Sequence, residues 1–178
     1  MKKPLFYLTV VLVQFAVLAL NNSVYAYDGQ VNLHGNITPP TCRVNNGQGA
    51  ISVALPTVSS SVLNASGKTA GAVQFIIQLS DCDDVPQVGA FFENSSNVSL
   101  ADGRLVNTVN QQSNVQLELL NRNSETISLG KGQAEQNIQY FDVKNGSAQL
   151  AYKVRYYATG QAVPGVVKSS TTFLLVYP

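Results

Sequence analysis

The sequence contains few of the residues on which enzymes and nucleic-acid-binding proteins depend. Its 178 residues include one histidine, two cysteines and only 12% charged side chains. The single histidine, His34, leaves little for acid–base or nucleophilic catalysis, and there is no phosphate-binding glycine loop, zinc-ligand cluster or nucleophile elbow. We therefore expect no enzyme activity, cofactor, metal or small-molecule substrate. A formal net charge of +1 gives no excess of positive charge to recruit nucleic acid.

The longest hydrophobic run lies at the N-terminus and is too short to span a bilayer. It covers residues 5–20, about 16 residues, whereas a transmembrane helix needs roughly 20. Two lysines precede the run, and the small residue Ala26 follows it after a polar stretch, which is the arrangement of a secretory signal peptide. We predict that residues 1–26 are a signal peptide and that the mature chain is one domain; a membrane anchor is the alternative.

The two cysteines, Cys42 and Cys82, would be exported with the mature chain into an oxidising compartment. A disulfide between them is the default interpretation, and it would close a loop of about 41 residues with a stabilisation of roughly 4 kcal/mol. The alternative is a free catalytic thiol, which needs a histidine partner. The only histidine lies in a segment that is interpreted below as an extended strand.

No part of the mature chain shows helical periodicity of apolar residues over three turns. Alternating, β-rich runs recur instead between clusters of glycine, asparagine, serine and proline, which predicts an all-β protein. About seven short strands with such turns favour a two-sheet sandwich of immunoglobulin type. The predicted strands are residues 51–55, 73–79, 88–92, 115–120, 138–143, 149–158 and 171–177, with one more short strand at 103–106 in an otherwise loop-like stretch.

An isolated alternating segment precedes the first cysteine. Val31, Leu33, Gly35 and Ile37 lie on one face of an extended strand, with polar residues on the other. Two prolines then interrupt the segment, because proline cannot donate to a strand ladder. The segment is either the first strand of the sandwich or a strand set apart from its body.

The other end of the chain favours the second interpretation. The last predicted strand, residues 171–177, places Phe173, Leu175 and Tyr177 on one face, and we expect no further strand beyond it. A sandwich that ended there would expose an unpaired apolar strand edge, a hazard that proteins normally manage explicitly.

These features together resemble a subunit of the chaperone–usher pilus family, of the type 1 or P pilus kind. The resemblance covers the whole chain. The features that carry it are, in order, the signal peptide, the alternating extension with Gly35 shortly before Cys42, the apolar strand 75–79 leading to Cys82, and the run 151–160 leading through Pro164 and Gly165 into the last strand.

The resemblance implies an incomplete immunoglobulin-like sandwich, residues 39–178, that lacks its last strand, preceded by a donor-strand extension, residues 27–38. The implied partners are a periplasmic pilus chaperone, an outer-membrane usher and neighbouring pilus subunits, and the implied location is a fimbrium on the cell surface, reached through the periplasm. The donor positions are Val31, Leu33, Gly35 and Ile37. The residues of the acceptor groove and chaperone contact are Phe173, Leu175, Tyr177 and Pro178, whose terminal carboxylate the chaperone would hold.

Gly35 has two interpretations, a shallow place in the receiving groove or a bulge in the strand. The function also has alternatives. The chain is expected to be a structural subunit that polymerises by strand donation and exchange to build a pilus used in adhesion. It could instead be a single-domain adhesive subunit that binds a host receptor, or a subunit that terminates assembly.

Overall fold

The computed structural model describes residues 31–35, 42–82 and 84–178. The chain divides into two units, Met1–Ile37 and Thr38–Pro178, and residues 31–35 are the described part of the first. The predicted signal peptide, the rest of the predicted extension 27–38, and with it Ile37, lie outside the described residues. In the part of the chain that the structure describes, no helix is long and apolar enough to cross a membrane.

The second unit is all-β, as the alternating sequence pattern predicts. Its strands are β1 (Arg43–Val44), β2 (Thr69–Ser80), β3 (Gln87–Phe92), β4 (Val98–Ser99), β5 (Arg104–Val106), β6 (Val115–Leu120), β7 (Phe141–Asp142), β8 (Ala148–Ala158) and β9 (Phe173–Val176). Short 3₁₀ turns lie at Asn45–Gly47, Ser60–Leu63, Gln111–Ser113 and Gln133–Glu135.

The strands form two antiparallel sheets. One has six strands in the order β1-β2-β8-β6-β5-β4, and the other has three in the order β7-β3-β9. The longest pairing joins β2 to β8, from Leu79 opposite Ala148 to Thr69 opposite Tyr157, with an irregularity between Ala70 and Val73. The two long strands form the centre of the larger sheet, which positions the core.

Period-two alternation explains how the core is filled. In β8, Leu150, Tyr152 and Val154 are buried, and the residues between them are only partly buried. Ile77 of β2 and Val88 of β3 are both fully buried, so the two sheets bury their facing sides against each other. The result is one core shared by both sheets.

Five of the seven predicted strands, and the short strand at 103–106, are found at or near their predicted positions. The prediction of a strand at residues 51–55 was wrong. Ile51, Val53 and Leu55 are half-buried and alternate with exposed residues, but this extended segment pairs with no strand among the described residues. The inward side chains produce the alternation on which the prediction depended, whereas a strand also needs a neighbouring backbone.

The strand predicted at residues 138–143 is much shorter than expected. Only Phe141 and Asp142 pair, with Val88 and Gln87 of β3. The preceding residues pass too close to Gly89 for a regular ladder: a Cβ at Gly89 would lie 2.7 Å from Ile138 Cγ2 and 3.0 Å from the Gln139 carbonyl oxygen. The chain crosses over β3 at this point, and only glycine leaves the room for it.

Candidate functional site

A large apolar groove lies between the two sheets. Its volume is about 930 Å³, near the upper end of the usual range for ligand pockets, about 300–1,000 Å³. The polar side chains in its lining are serines and threonines, and the described residues place no charged side chain there. The lining comprises Cys42, Val44, Phe75, Ile77, Phe92, Leu105, Leu117, Leu119 and Val154, together with residues 49–51, 53, 55 and 169–175.

One wall of the groove is the unpaired extended segment, residues 51–58. Ile51, Val53 and Leu55 face the groove and pack against the core. The backbone C=O groups of residues 51–58, and their N–H groups except at Pro56, which has none, have no hydrogen-bond partner among the described residues. Because a backbone of this kind is normally paired, this wall is a free edge for a further strand.

The opposite wall is β9, which is the last strand of the smaller sheet. It pairs with β3 through Phe92 opposite Phe173 to Gly89 opposite Val176. Among the described residues no strand lies along its other edge. Phe173 and Leu175 belong to the groove lining, so this wall also combines apolar side chains with an unpaired backbone edge.

Buried asparagine hydrogen bonds hold the segment that leads into β9. Asn107 is 2% exposed, and its amide donates to the Val166 carbonyl at 3.0 Å and to Ser113 Oγ at 3.1 Å. Its side-chain oxygen accepts from the backbone N–H groups of Val109 and Lys168. All the hydrogen-bonding capacity of this amide is used, which fixes the approach of the chain to the groove wall.

An aromatic cluster lies beneath the groove. The ring of Tyr152 packs edge-on against Phe92 at 5.1 Å between ring centroids and lies 5.9 Å from Phe75, and both phenylalanines line the groove. Burial raises the pKa of Tyr152 to about 12 because the phenolate would lose its hydration. Burial also raises the pKa of Tyr156. The Tyr152 phenol is therefore neutral at physiological pH.

The predicted disulfide between Cys42 and Cys82 is confirmed, and the described residues contain no free cysteine. Cys42 also lines the groove, which the sequence did not predict. The bond joins the residue just before β1 to the residue shortly after β2. It therefore anchors the start of the domain to the central pair of strands.

The predicted acceptor residues are distributed unevenly. Phe173 and Leu175 line the groove, Tyr177 packs against the core beyond the groove lining, and Pro178 is exposed. Of the predicted donor positions, Val31 and Leu33 are 82% and 87% exposed. A Cβ at Gly35 would meet nothing within 4 Å.

Several groove residues were not identified from the sequence. Phe75, Phe92 and Ile51 lie on three different elements of the fold, and their predicted strands gave no indication that they meet around one groove. The alternation at residues 51–55 was the one available signal. It indicated an inward face, but it could not indicate a missing partner strand.

Comparisons with known proteins agree with this architecture. The family described as type-1 fimbrial protein, A (FimA) matches residues 55–178. The F17 fimbrial protein of Escherichia coli is 34% identical over 166 residues, which cover 89% of this chain and 92% of the relative. The major fimbrial subunit SMF-1 of Stenotrophomonas maltophilia is 38% identical over 159 residues, covering 85% and 94%.

Solved structures show the same fold. The P pilus rod subunit PapA matches with a TM-score of 0.60 and 18% identity over 78% of this chain and 99% of its own. A chain from the structure of a chaperone–usher pilus matches with a TM-score of 0.61 and 16% identity, covering 88% and 99%. The family match and the full-length relatives confirm the predicted function: this chain belongs to the type-1 fimbrial protein family and is a structural subunit of a fimbria that interacts with other subunits.

Proposed function

We propose that the groove receives an extended segment of a neighbouring subunit, which adds the missing strand between residues 51–58 and β9. The observation that carries this proposal is that both walls combine inward apolar side chains with a backbone edge that pairs with no other described strand. A strand inserted there would form hydrogen bonds with both edges and place alternate side chains in the groove. Each added backbone hydrogen bond contributes about 0.5–1.5 kcal/mol.

The dimensions of the wall suit the predicted donor segment. Residues 51–58 span roughly 26 Å at the usual rise of an extended strand, and residues 31–37 span roughly 23 Å. The donor segment can therefore extend along almost the whole wall. Val31, Leu33 and Ile37 would each contribute roughly 1.5–3 kcal/mol if their side chains were fully buried.

Residues 27–38 are the proposed donor extension of this chain. Val31 and Leu33 are large apolar side chains that are almost fully exposed. Their exposure fits side chains that are buried in another molecule. Gly35, between Leu33 and Ile37 on the same face, suits a shallow part of the receiving groove.

The same groove accounts for the proposed partners before assembly. An open apolar groove of this size favours aggregation, so a periplasmic chaperone is expected to fill it with a strand of its own until an outer-membrane usher directs exchange for the next subunit's extension. Pro178 is exposed and is therefore accessible to the chaperone. Residues 1–26 are the proposed signal peptide for export to the periplasm.

The open groove argues against a role in terminating assembly, because a terminating subunit needs no free acceptor. No observation of the structure favours the adhesive alternative. The proposed subunit therefore both donates a strand and accepts one.

The test compares the two faces of the extension in the full exported chain. One variant replaces Val31, Leu33 and Ile37 by serine, and the matched control replaces Asn32, His34 and Asn36 by serine. We expect the first to co-purify with the chaperone but to lose attachment to the preceding subunit, and the control to polymerise. Equal behaviour of the two variants, or loss of chaperone binding in the first, would refute the donor assignment.

A further inference from the structure

Gln136 takes the place of a strand beside the last residue of β3. Its side chain is 1% exposed and follows the 3₁₀ turn Gln133–Glu135. The amide nitrogen donates to the Phe92 carbonyl at 2.7 Å, and the amide oxygen accepts from the Phe92 N–H at 2.8 Å. One side chain therefore makes the two reciprocal hydrogen bonds that a neighbouring strand would make.

Phe92 needs these bonds because β7 does not reach it. β7 pairs with β3 only at Gln87 and Val88, at the opposite end of the strand. Without Gln136, the N–H and C=O of Phe92 would be left unpaired in a buried site. Such a loss costs free energy. The primary amide of Gln136 prevents it, because a single planar group supplies both the donor and the acceptor that Phe92 needs.

The aromatic ring of Phe92 forms part of the groove lining. It packs against Tyr152 at 5.1 Å and against Phe173 of the β9 wall at 6.1 Å between ring centroids. The position of the Phe92 backbone therefore determines where the ring lies relative to both the core and the wall. Gln136 reaches this backbone from outside the groove, since it is not one of the lining residues.

We propose that Gln136 is a positioning residue for strand acceptance: its reciprocal hydrogen bonds hold Phe92 where the ring receives one apolar side chain of the donated strand. The inference rests on the proposed function, because it assumes that the groove binds a strand. The Gln136 amide fixes the shape of the groove around Phe92 only. The rest of the groove does not depend on it.

The test measures binding of a synthetic peptide of residues 27–38 to the chaperone-bound mature chain and to its chaperone-bound Gln136→Met variant, as displacement of the chaperone by the peptide. Methionine has a similar length and no donor or acceptor pair. Three further peptides carry alanine in place of Val31, Leu33 or Ile37. On the unmodified chain each alanine is expected to weaken binding by about tenfold or more. When the Gln136→Met variant binds the same peptides, one of the three alanine substitutions is expected to weaken binding by less than about threefold. The other two should weaken it as much as they do on the unmodified chain.

A matched control is Asn121→Leu. Asn121 is 1% exposed and accepts the backbone N–H groups of Asn123 and Glu125, so it is also a buried amide that holds backbone, but it lies outside the groove lining. This variant is expected to lose stability with all three alanine effects intact. If Gln136→Met changes all three effects equally, as a merely destabilised domain would, the positioning role is wrong. If the unmodified chain binds no peptide, the proposed function itself fails.

A second measurement needs no variant. Amide hydrogen exchange of the chaperone-bound chain should show the Phe92 N–H protected both before and after the peptide displaces the chaperone, because its acceptor is Gln136 and not the inserted strand. Rapid exchange at Phe92 in either state would overturn the proposal.

Discussion

Arg155 on β8 binds the buried carboxylate of Glu118 on the neighbouring strand β6, with Arg155 Nη2 at 2.6 Å from Glu118 Oε2. The two residues lie opposite each other in the ladder. The second carboxylate oxygen accepts from Arg104 Nε of β5 at 2.9 Å, and the Arg104 guanidinium stacks 3.6 Å from the centroid of the Tyr157 ring. A single carboxylate that is 2% exposed thus connects three adjacent strands on the outer side of the larger sheet.

Replacing this carboxylate should destabilise the domain. We expect Glu118→Gln to lower the free energy of unfolding by about 2–3 kcal/mol, because two partly exposed guanidinium groups lose their common partner. Urea denaturation of the purified mature protein measures the change. The matched control is Asp81→Asn, since the Asp81 side chain is 63% exposed at 3.5 Å from Arg43 and should contribute less than about 1 kcal/mol. Similar losses in both variants would contradict the burial argument.

Gly89 should not tolerate a methyl group. A Cβ there would lie 2.7 Å from Ile138 Cγ2 and 3.0 Å from the carbonyl oxygen of Gln139, so Gly89→Ala is expected to cost about 1–3 kcal/mol through overpacking. Thermal unfolding of the two proteins tests this expectation. Gly132→Ala serves as the control because its nearest neighbour, Glu135 Oε2, is 3.8 Å away, and its unfolding midpoint should hardly change. An unchanged midpoint in Gly89→Ala would show that residues 138–140 can move away from the added methyl group with little loss of stability.

Removal of the disulfide should reduce the amount of folded protein. We expect Cys42→Ser to lower stability by roughly 4 kcal/mol in the chain-entropy view, since the bond connects residues 40 positions apart. The measurement is the yield of protein in the periplasm, together with its denaturation midpoint. A double variant, Cys42→Ser with Cys82→Ser, separates loss of the bond from the effect of an unpaired thiol. Normal yield and midpoint in the double variant would show that the bond is dispensable.

A large residue at position 35 should hinder strand exchange. Gly35→Leu is expected to slow uptake of the extension by a neighbouring subunit by about tenfold or more if the side chain must enter a shallow part of the groove. Exchange is followed as the appearance of subunit pairs from a labelled donor. His34→Leu adds a similar side chain to the opposite face and should exchange at the normal rate. Unchanged kinetics for Gly35→Leu would favour the interpretation of Gly35 as a bulge.

Tyr152 should make the domain sensitive to alkali. Its pKa is about 12 when folded, against an ordinary value of 10.0, so the folded state retains the proton longer than the unfolded state. The stabilisation is fully present below pH 10 and is lost as the pH rises from about 10 to about 12, by about 2–3 kcal/mol. Tyr152→Phe should remove this contribution to the pH dependence of the free energy of unfolding. The measurement is denaturation of both proteins at several pH values from about 10 to about 12. Parallel curves for the two proteins would exclude this contribution.

Much of the fold could be predicted because it is encoded locally. The alternation in β2 and β8 directly reflects one buried face, and β6 was predicted with the bounds that the structure shows. The same alternation misled at residues 51–55, where the side chains do point inward but no other described strand pairs with the backbone. The local sequence therefore indicates which side chains are buried. Strand pairing depends on which other segment of the chain lies beside the strand.

The polar interior could not be predicted for a related reason. Glu118 alternates with apolar neighbours, a pattern typical of a solvated strand face, but Arg104 and Arg155 enclose it from strands on either side. Gln136 lies 44 residues from Phe92, in a loop without periodicity. No local pattern connects such residues, because their roles arise only when distant parts of the chain pack together.

The position of the disulfide has a mechanical consequence. Any tension that enters the domain along the chain preceding Cys42 would reach Cys42 first, and the strand that follows it, β1, has only two residues paired to β2. The covalent bond to Cys82 offers a second route for the load, directly to the end of β2, whose long ladder with β8 resists shear along its whole length. A fibre made of such subunits can therefore be pulled hard without its domains unravelling from their first residues.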